Sequence, residues 1–133
     1  MTFLDTGILV GAVLGKHPEH ERCLSAFEEY RDCFTDAHAL AESFATLTGF
    51  YKVPTKIATE LVLGLCEMLP TEAFTVSDYE IAIGEAQNRG VMGGGIYDSL
   101  HATFARRKRV KRIVTRNATH FAHVAPDIEI LTP

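Results

Sequence analysis

Three acids and an amide stand at comparable places along this chain: Asp5, Glu42, Asp98 and Asn117. Each comes just after a run that reads as a strand, or within the first two turns of a helix. Each also has an ordinary use by itself. Asp5 suits a helix N-cap, Glu42 an exposed helix surface, Asp98 the first turn of a helix, where an acid meets the dipole, and Asn117 a turn. Taken together they point elsewhere. In an open parallel sheet the strand C-termini share one rim, and ligands bind in the crevice outside it. Carboxylates gathered there repel, so either one stays protonated or a cation is held among them. A donor set made of oxygen suits Mg²⁺ or Mn²⁺ rather than zinc. Such an ion lowers the pKa of bound water and polarises phosphoryl oxygens.

The elements that must position these groups follow from hydrophobic period. Met1 to Leu4 is an apolar strand that hands over at Asp5 to a helix from Gly7 to Leu14, and His17-Pro18-Glu19 starts a second helix running to about Tyr30. Cys33-Phe34-Thr35 is a short strand. Asp36 then caps a helix whose Ala37, Leu40, Ala41, Phe44, Ala45, Leu47 and Tyr51 recur near 3.6 residues. Val53-Pro54-Thr55 breaks it, and Lys56 to Met68 is a further amphipathic helix. Ala73 to Val76 reads as a third strand, and Ser77 with Glu80 as the capping box of a helix ending at Gly90. After the Gly93-Gly94-Gly95 loop a helix runs from Tyr97 or Asp98 to about Lys108. Arg112 to Thr115 is a strand, Arg116 to Phe121 a short turn or helix, and Ile128 to Leu131 the last strand. Strands alternating with helices make a parallel sheet covered on both faces.

Composition sets the bounds. A chain of 133 residues is expected to form one domain with one core. Its 47% hydrophobic and 23% charged residues are ordinary globular usage. No apolar run reaches a membrane span and no secretory leader pattern opens the chain, so a cytoplasmic location without membrane contact is expected. Cys23, Cys33 and Cys66 lack zinc-type spacing and read as reduced thiols. The net charge of −4 argues against a surface that coats nucleic acid, while leaving room for an acidic pocket.

Other signals weigh less. Asp5-Thr6-Gly7 matches the aspartic-protease triplet, but those proteins are all-β. The pairs His17/His20 and His120/His123 are read as surface or helix-end histidines, since zinc needs two further ligands. The triple glycine lacks the P-loop ending. Six of the 13 basic residues fall between Arg106 and Arg112. The run begins roughly 12 Å along its helix from Asp98, at 1.5 Å per residue, so it is read as helix-end charge. Arg116, beside Asn117, is the better candidate for a phosphate contact.

The ordered set of Asp5-Thr6, Leu40-Ala41-Glu42, Tyr97-Asp98 with Leu100-His101-Ala102, and Val114-Thr115-Arg116-Asn117 with His120-Phe121 resembles the PIN-domain ribonucleases, in particular the VapC-type toxins of toxin–antitoxin pairs. The resemblance implies a three-layer α/β/α sandwich with a mostly parallel five-stranded sheet. It also implies Mg²⁺- or Mn²⁺-dependent cleavage of RNA, a homodimer, and a cognate antitoxin that silences the acidic pocket. Asp5, Glu42 and Asp98 would hold the metal. Asn117 would orient a water or a ligand carboxylate, with Thr6 and Thr115 supporting the acids from behind. Many members carry Asp where Asn117 stands, which leaves one or two metals open, with Asp36 on the same rim as a further candidate. The alternatives are a catalytically degenerate PIN-like module that binds RNA or protein without cleavage, and an α/β module holding a nucleotide phosphate at a helix N-terminus.

Overall fold

The computed structural model describes all 133 residues. Five strands, β1 (Thr2–Leu4), β2 (Cys33–Asp36), β3 (Thr71–Glu72), β4 (Arg112–Val114) and β5 (Glu129–Leu131), form one sheet in the order β3-β2-β1-β4-β5. Every pairing is parallel. Seven helices connect them: α1 (Thr6–Val13), α2 (His20–Glu29), α3 (Ala37–Gly49), α4 (Thr55–Met68), α5 (Val76–Glu85), α6 (Gly95–Arg107) and α7 (Ala118–Val124). The α/β/α sandwich expected from the alternation is present.

Its layers follow from the strand residues. A pleated strand sends successive side chains to opposite faces, so Phe3-Leu4, Cys33-Phe34 and Ile113-Val114 can each serve two layers. Phe3 is in register with both Phe34 and Ile113. These three pack against Ala102, Phe104 and Ala105 of α6 and Phe121 and Val124 of α7. Leu4, Cys33 and Val114 face the other way, onto Ile8, Leu9, Cys23, Ala39 and Leu65 of α1 to α4. Each fully buried side chain of this size is worth about 1.5–3 kcal/mol. Between α1 and α2 the fit is close enough to require glycine, because a Cβ on Gly11 would meet Cys23 Sγ at 2.5 Å.

The chain builds β2 and β3 on one side of β1, then crosses to add β4 and β5 on the other. Strand order therefore reverses between β1 and β4, which is where doubly wound sheets open their binding crevice. Asp5 sits at that point, its backbone N–H donating to Val114 O at 3.1 Å.

Several expected boundaries differ. The third strand is Thr71–Glu72, not Ala73 to Val76, because Thr35 N–H donates to Pro70 O at 3.1 Å and the edge strand pairs directly after that proline. The capping box of α5 is Thr75 with Asp78, not Ser77 with Glu80. Asp78 is favoured there because its carboxylate also receives Arg107 from α6, at 2.8 and 2.9 Å. Helix α5 ends at Glu85, and Gly90, with φ of 64°, closes the turn that follows. Pro18 lies in the turn before α2, where Glu19 N–H donates to His17 Nδ1 at 3.0 Å. In the basic run, Arg106, Arg107 and Lys108 are paired with Asp127, Asp78 and Glu72. No helix is long and apolar enough to cross a membrane.

Candidate active site

Asp5, Glu42, Asp98 and Asn117 line one cavity of about 440 Å³, together with Thr6, Gly7, Val10, Thr46, Tyr51 and Arg116. Strand ends and helix starts explain the convergence. Asp5 directly follows β1 and caps α1, its Oδ1 accepting from Thr6 N–H at 2.7 Å. Its Oδ2 accepts from Thr115 Oγ1, just past β4, at 2.7 Å, and the same hydroxyl accepts from Asn117 N–H at 2.9 Å. Thr115 thus joins the first and fourth motifs across the β1/β4 crevice. Asp98 lies in the first turn of α6. Glu42 projects from the second turn of α3 and is partly buried.

Electrostatics single out Asp5. Burial pushes the Asp5 carboxyl up from 3.8 to about 6, opposed by the charge of His101 and the Thr115 hydroxyl and reinforced by Asp98. Asn117 Nδ2 donates to Asp98 Oδ2 at 3.3 Å, so the amide restrains one of the acids. Arg116 lies on the cavity wall with its Nε bonded to Glu19. Thr6 Oγ1 is buried and has no hydrogen-bond partner in the protein.

Two histidines take places that the sequence did not assign, and Asp36, which caps α3 as expected, also binds one of them. His101 is fully buried, with Nδ1 at 2.5 Å from Asp36 Oδ2 and Nε2 at 2.7 Å from Glu42 Oε1. Burial depresses its pKa, but the hydrogen bonds to Asp36 and Glu42 outweigh that and hold it well above the ordinary histidine value. Both ring nitrogens are thus engaged, each facing a carboxylate oxygen. Asp36 is fully buried between His101 and the N-terminus of α3, where it caps Ala39 N–H at 2.8 Å, so it is no rim ligand. His120, in the first turn of α7 as a helix-end histidine, also bonds Asp98 Oδ2 through Nδ1.

The donor atoms fit a hard divalent cation. Ligand-type atoms of Asp5, Asp98 and His101 lie within 4.8 Å of one another. With both nitrogens of His101 already engaged, the free donors are the oxygens of Asp5, Glu42, Asp98, Asn117 and Thr6. An all-oxygen set selects Mg²⁺, Mn²⁺ or Ca²⁺ over zinc.

Known proteins agree with this architecture. The PIN domain family model matches residues 2–126. No match was found among curated protein sequences. Among solved structures, VapC20 of Mycobacterium tuberculosis, described as a sarcin–ricin loop cleaving toxin, superposes with a TM-score of 0.73 at 15% identity, over 85% of this chain and 87% of that one. VapBC2 of Rickettsia felis, solved with a promoter DNA fragment, gives 0.74 at 20% identity, over 99% and 98%. FitAcB of Neisseria gonorrhoeae gives 0.70 at 17%, over 98% and 96%. At these identities the superpositions speak to fold. The family model covers all four motifs that meet in the cavity, and on that match the chain belongs to the PIN domain family.

Proposed function

We propose that this protein is a divalent-metal-dependent endoribonuclease and the toxin of a toxin–antitoxin pair. The observation that carries the reading is the convergence of Asp5, Glu42, Asp98 and Asn117 on one cavity at the strand-order reversal. Asp5, Glu42 and Asp98 would hold Mg²⁺ or Mn²⁺, which would supply Lewis acidity for phosphodiester hydrolysis. The chain's own groups set the geometry. Thr115 holds Asp5, His120 and Asn117 hold Asp98 through its Oδ2, and Arg116, which also lines the cavity, meets a phosphate oxygen of RNA. Purified protein should cut RNA with Mg²⁺ or Mn²⁺ and stop when EDTA is added. Cleavage that persists in EDTA would overturn the metal assignment.

The second reading, an RNA- or protein-binding module without cleavage, is favoured by one contact. Asn117 offers its amide N–H₂ to Asp98 where a fourth acid would add charge, so the donor set is one carboxylate short. RNA binding without cleavage at any Mg²⁺ or Mn²⁺ concentration would select it.

The antitoxin reading has its own surface. Leu40, Ala41 and Phe44 of α3 face Val62, Leu63 and Cys66 of α4 across an apolar groove, and Leu63 is 58% exposed. On the same hairpin Phe50 and Ile57 are also exposed, while Phe44, Tyr51, Val53 and Leu61 are partly buried against Leu47 and Ala58. Co-expressed antitoxin should slow amide exchange in α3 and α4. Unchanged exchange there would move the antitoxin surface elsewhere.

A further inference from the structure

We infer that Asp36 and His101 are positioning residues that hold Glu42 ready for the metal, an inference that rests on the metal-dependent reading of the site. Asp36 does two things at once. Its Oδ1 fixes the start of α3 through Ala39 N–H, and its Oδ2 fixes His101, whose far nitrogen holds Glu42 Oε1. The backbone that carries Glu42 and the ring that meets its carboxylate are thereby referred to one buried group.

His101 has no freedom to turn. Its ring lies 5.6 Å from Phe3, 5.8 Å from Phe74 and 5.9 Å from His38, centroid to centroid. A glutamate side chain free to rotate surrenders rotamer entropy when it is immobilised. Here that cost falls on folding instead of on metal binding. Glu42 Oε1 is taken by His101, His38 Nε2 approaches it to 3.4 Å, and Oε2 makes no hydrogen bond within the protein. Oε2 is therefore the oxygen left free of the protein's own hydrogen bonds.

A structural purpose alone accounts poorly for this chain of groups. Replacing a buried ion pair or triad with apolar side chains of similar volume is often neutral or stabilising. A carboxylate, an imidazole and a second carboxylate in a row are, however, what orients a metal ligand from behind, and loss of such a partner costs about 10–100-fold in affinity or activity. His101 lies near enough to Asp5 and Asp98 to be mistaken for a ligand. Its engaged nitrogens exclude that.

The test uses Mn²⁺ binding measured by calorimetry, beside RNA cleavage kinetics. His101→Gln and Asp36→Asn should each weaken Mn²⁺ binding, the former by about 10–100-fold, and lower kcat while KM for RNA stays within about twofold. In a Glu42→Gln background His101→Gln should add nothing, since it acts through that carboxylate. A folded His101→Gln protein that binds Mn²⁺ with wild-type affinity, even one that melts earlier, overturns the inference. Should neither variant fold, the unaltered protein decides: ¹⁵N resonances of the His101 ring should move when Mg²⁺ is added, and unmoved resonances overturn it. Wild-type protein that binds no Mn²⁺ at all would instead remove the metal-dependent reading, and this inference with it.

Discussion

Asp5 and Asp78 are both nearly sealed from water, with 6% and 1% of their surface exposed, yet their carboxyl groups are displaced in opposite directions. Burial pushes both up. At Asp78 it is outweighed by the Arg107 guanidinium, bonded to both carboxylate oxygens, and by Thr75 N–H at 2.8 Å, so the carboxyl lies below its ordinary value. At Asp5 the hydroxyl of Thr115 and the shared charge of His101 do not suffice, and the carboxyl rises to about 6. The same residue type is thus compensated where the fold supplies its cation and left short of positive charge where it does not. An acid left short of positive charge in a cleft either holds its proton or draws a cation from solution, which makes it a candidate for a functional site.

The largest expected effect comes from removing the uncompensated acid. Asp5→Asn should lower metal-dependent RNA cleavage by about 10²–10³-fold, several kcal/mol of transition-state stabilisation. Without metal the same change should stabilise the protein. A carboxyl moved from 3.8 to about 6 disfavours the folded state by about 3 kcal/mol once ionised. Because the folded value is the higher one, this loss develops as pH rises from about 4 to about 6 and stays constant above. Melting in EDTA should therefore show the Asn variant more stable at pH 7.5 and level with wild type near pH 4. Equal melting at both pH values would mean that Asp5 is compensated after all.

Arg107→Ala turns Asp78 into a second Asp5. A buried carboxylate loses its partner, at a cost of about 1–3 kcal/mol after allowance for the partly exposed guanidinium. Cleavage per folded molecule should not change, since this pair lies at the far end of α6 from Asp98. The contribution of Asp78 is present above its unfolded value near 3.8 and lost as pH falls through its lower folded value. Urea denaturation should thus separate variant from wild type at pH 7 and bring them together near pH 3. A gap that persists at pH 3 would assign the effect to lost packing of Arg107 on Phe104, whose ring centroid is 5.2 Å from the guanidinium.

The same contrast explains what the sequence makes legible. Asp5, Asp98 and Asn117 stand at strand ends or helix starts, which are local signals of period and capping. A parallel sheet then gathers them without further information. Asp36 carries the same local signal and belongs to a different class, because its partner His101 lies 65 positions away and pairing across the fold has no local mark. A hint was available in Asp98 and His101, one helical turn apart and so on one face of α6. His120 similarly follows Asn117 by three residues. Edge strand β3 has only two residues and is set by backbone bonding to β2, so side-chain alternation has nothing to display there.

The smallest effect, and the finest test of the contrast, lies at Asn117. This residue donates to Asp98 from the position where a further carboxylate would complete the donor set. Asn117→Asp replaces a hydrogen bond with like charge and makes the site still more dependent on an external cation. The metal concentration for half-maximal cleavage should fall by roughly three- to tenfold, since a unit charge about 4 Å from an ion contributes ~1 kcal/mol or more. The metal-free variant should melt earlier than wild type, and salt should narrow that difference because the repulsion is partly open to solvent. Titrating Mg²⁺ and Mn²⁺ against cleavage rate for both proteins checks this. Superimposable curves would place Asn117 outside the reach of the ion and leave its bond to Asp98 as its whole contribution.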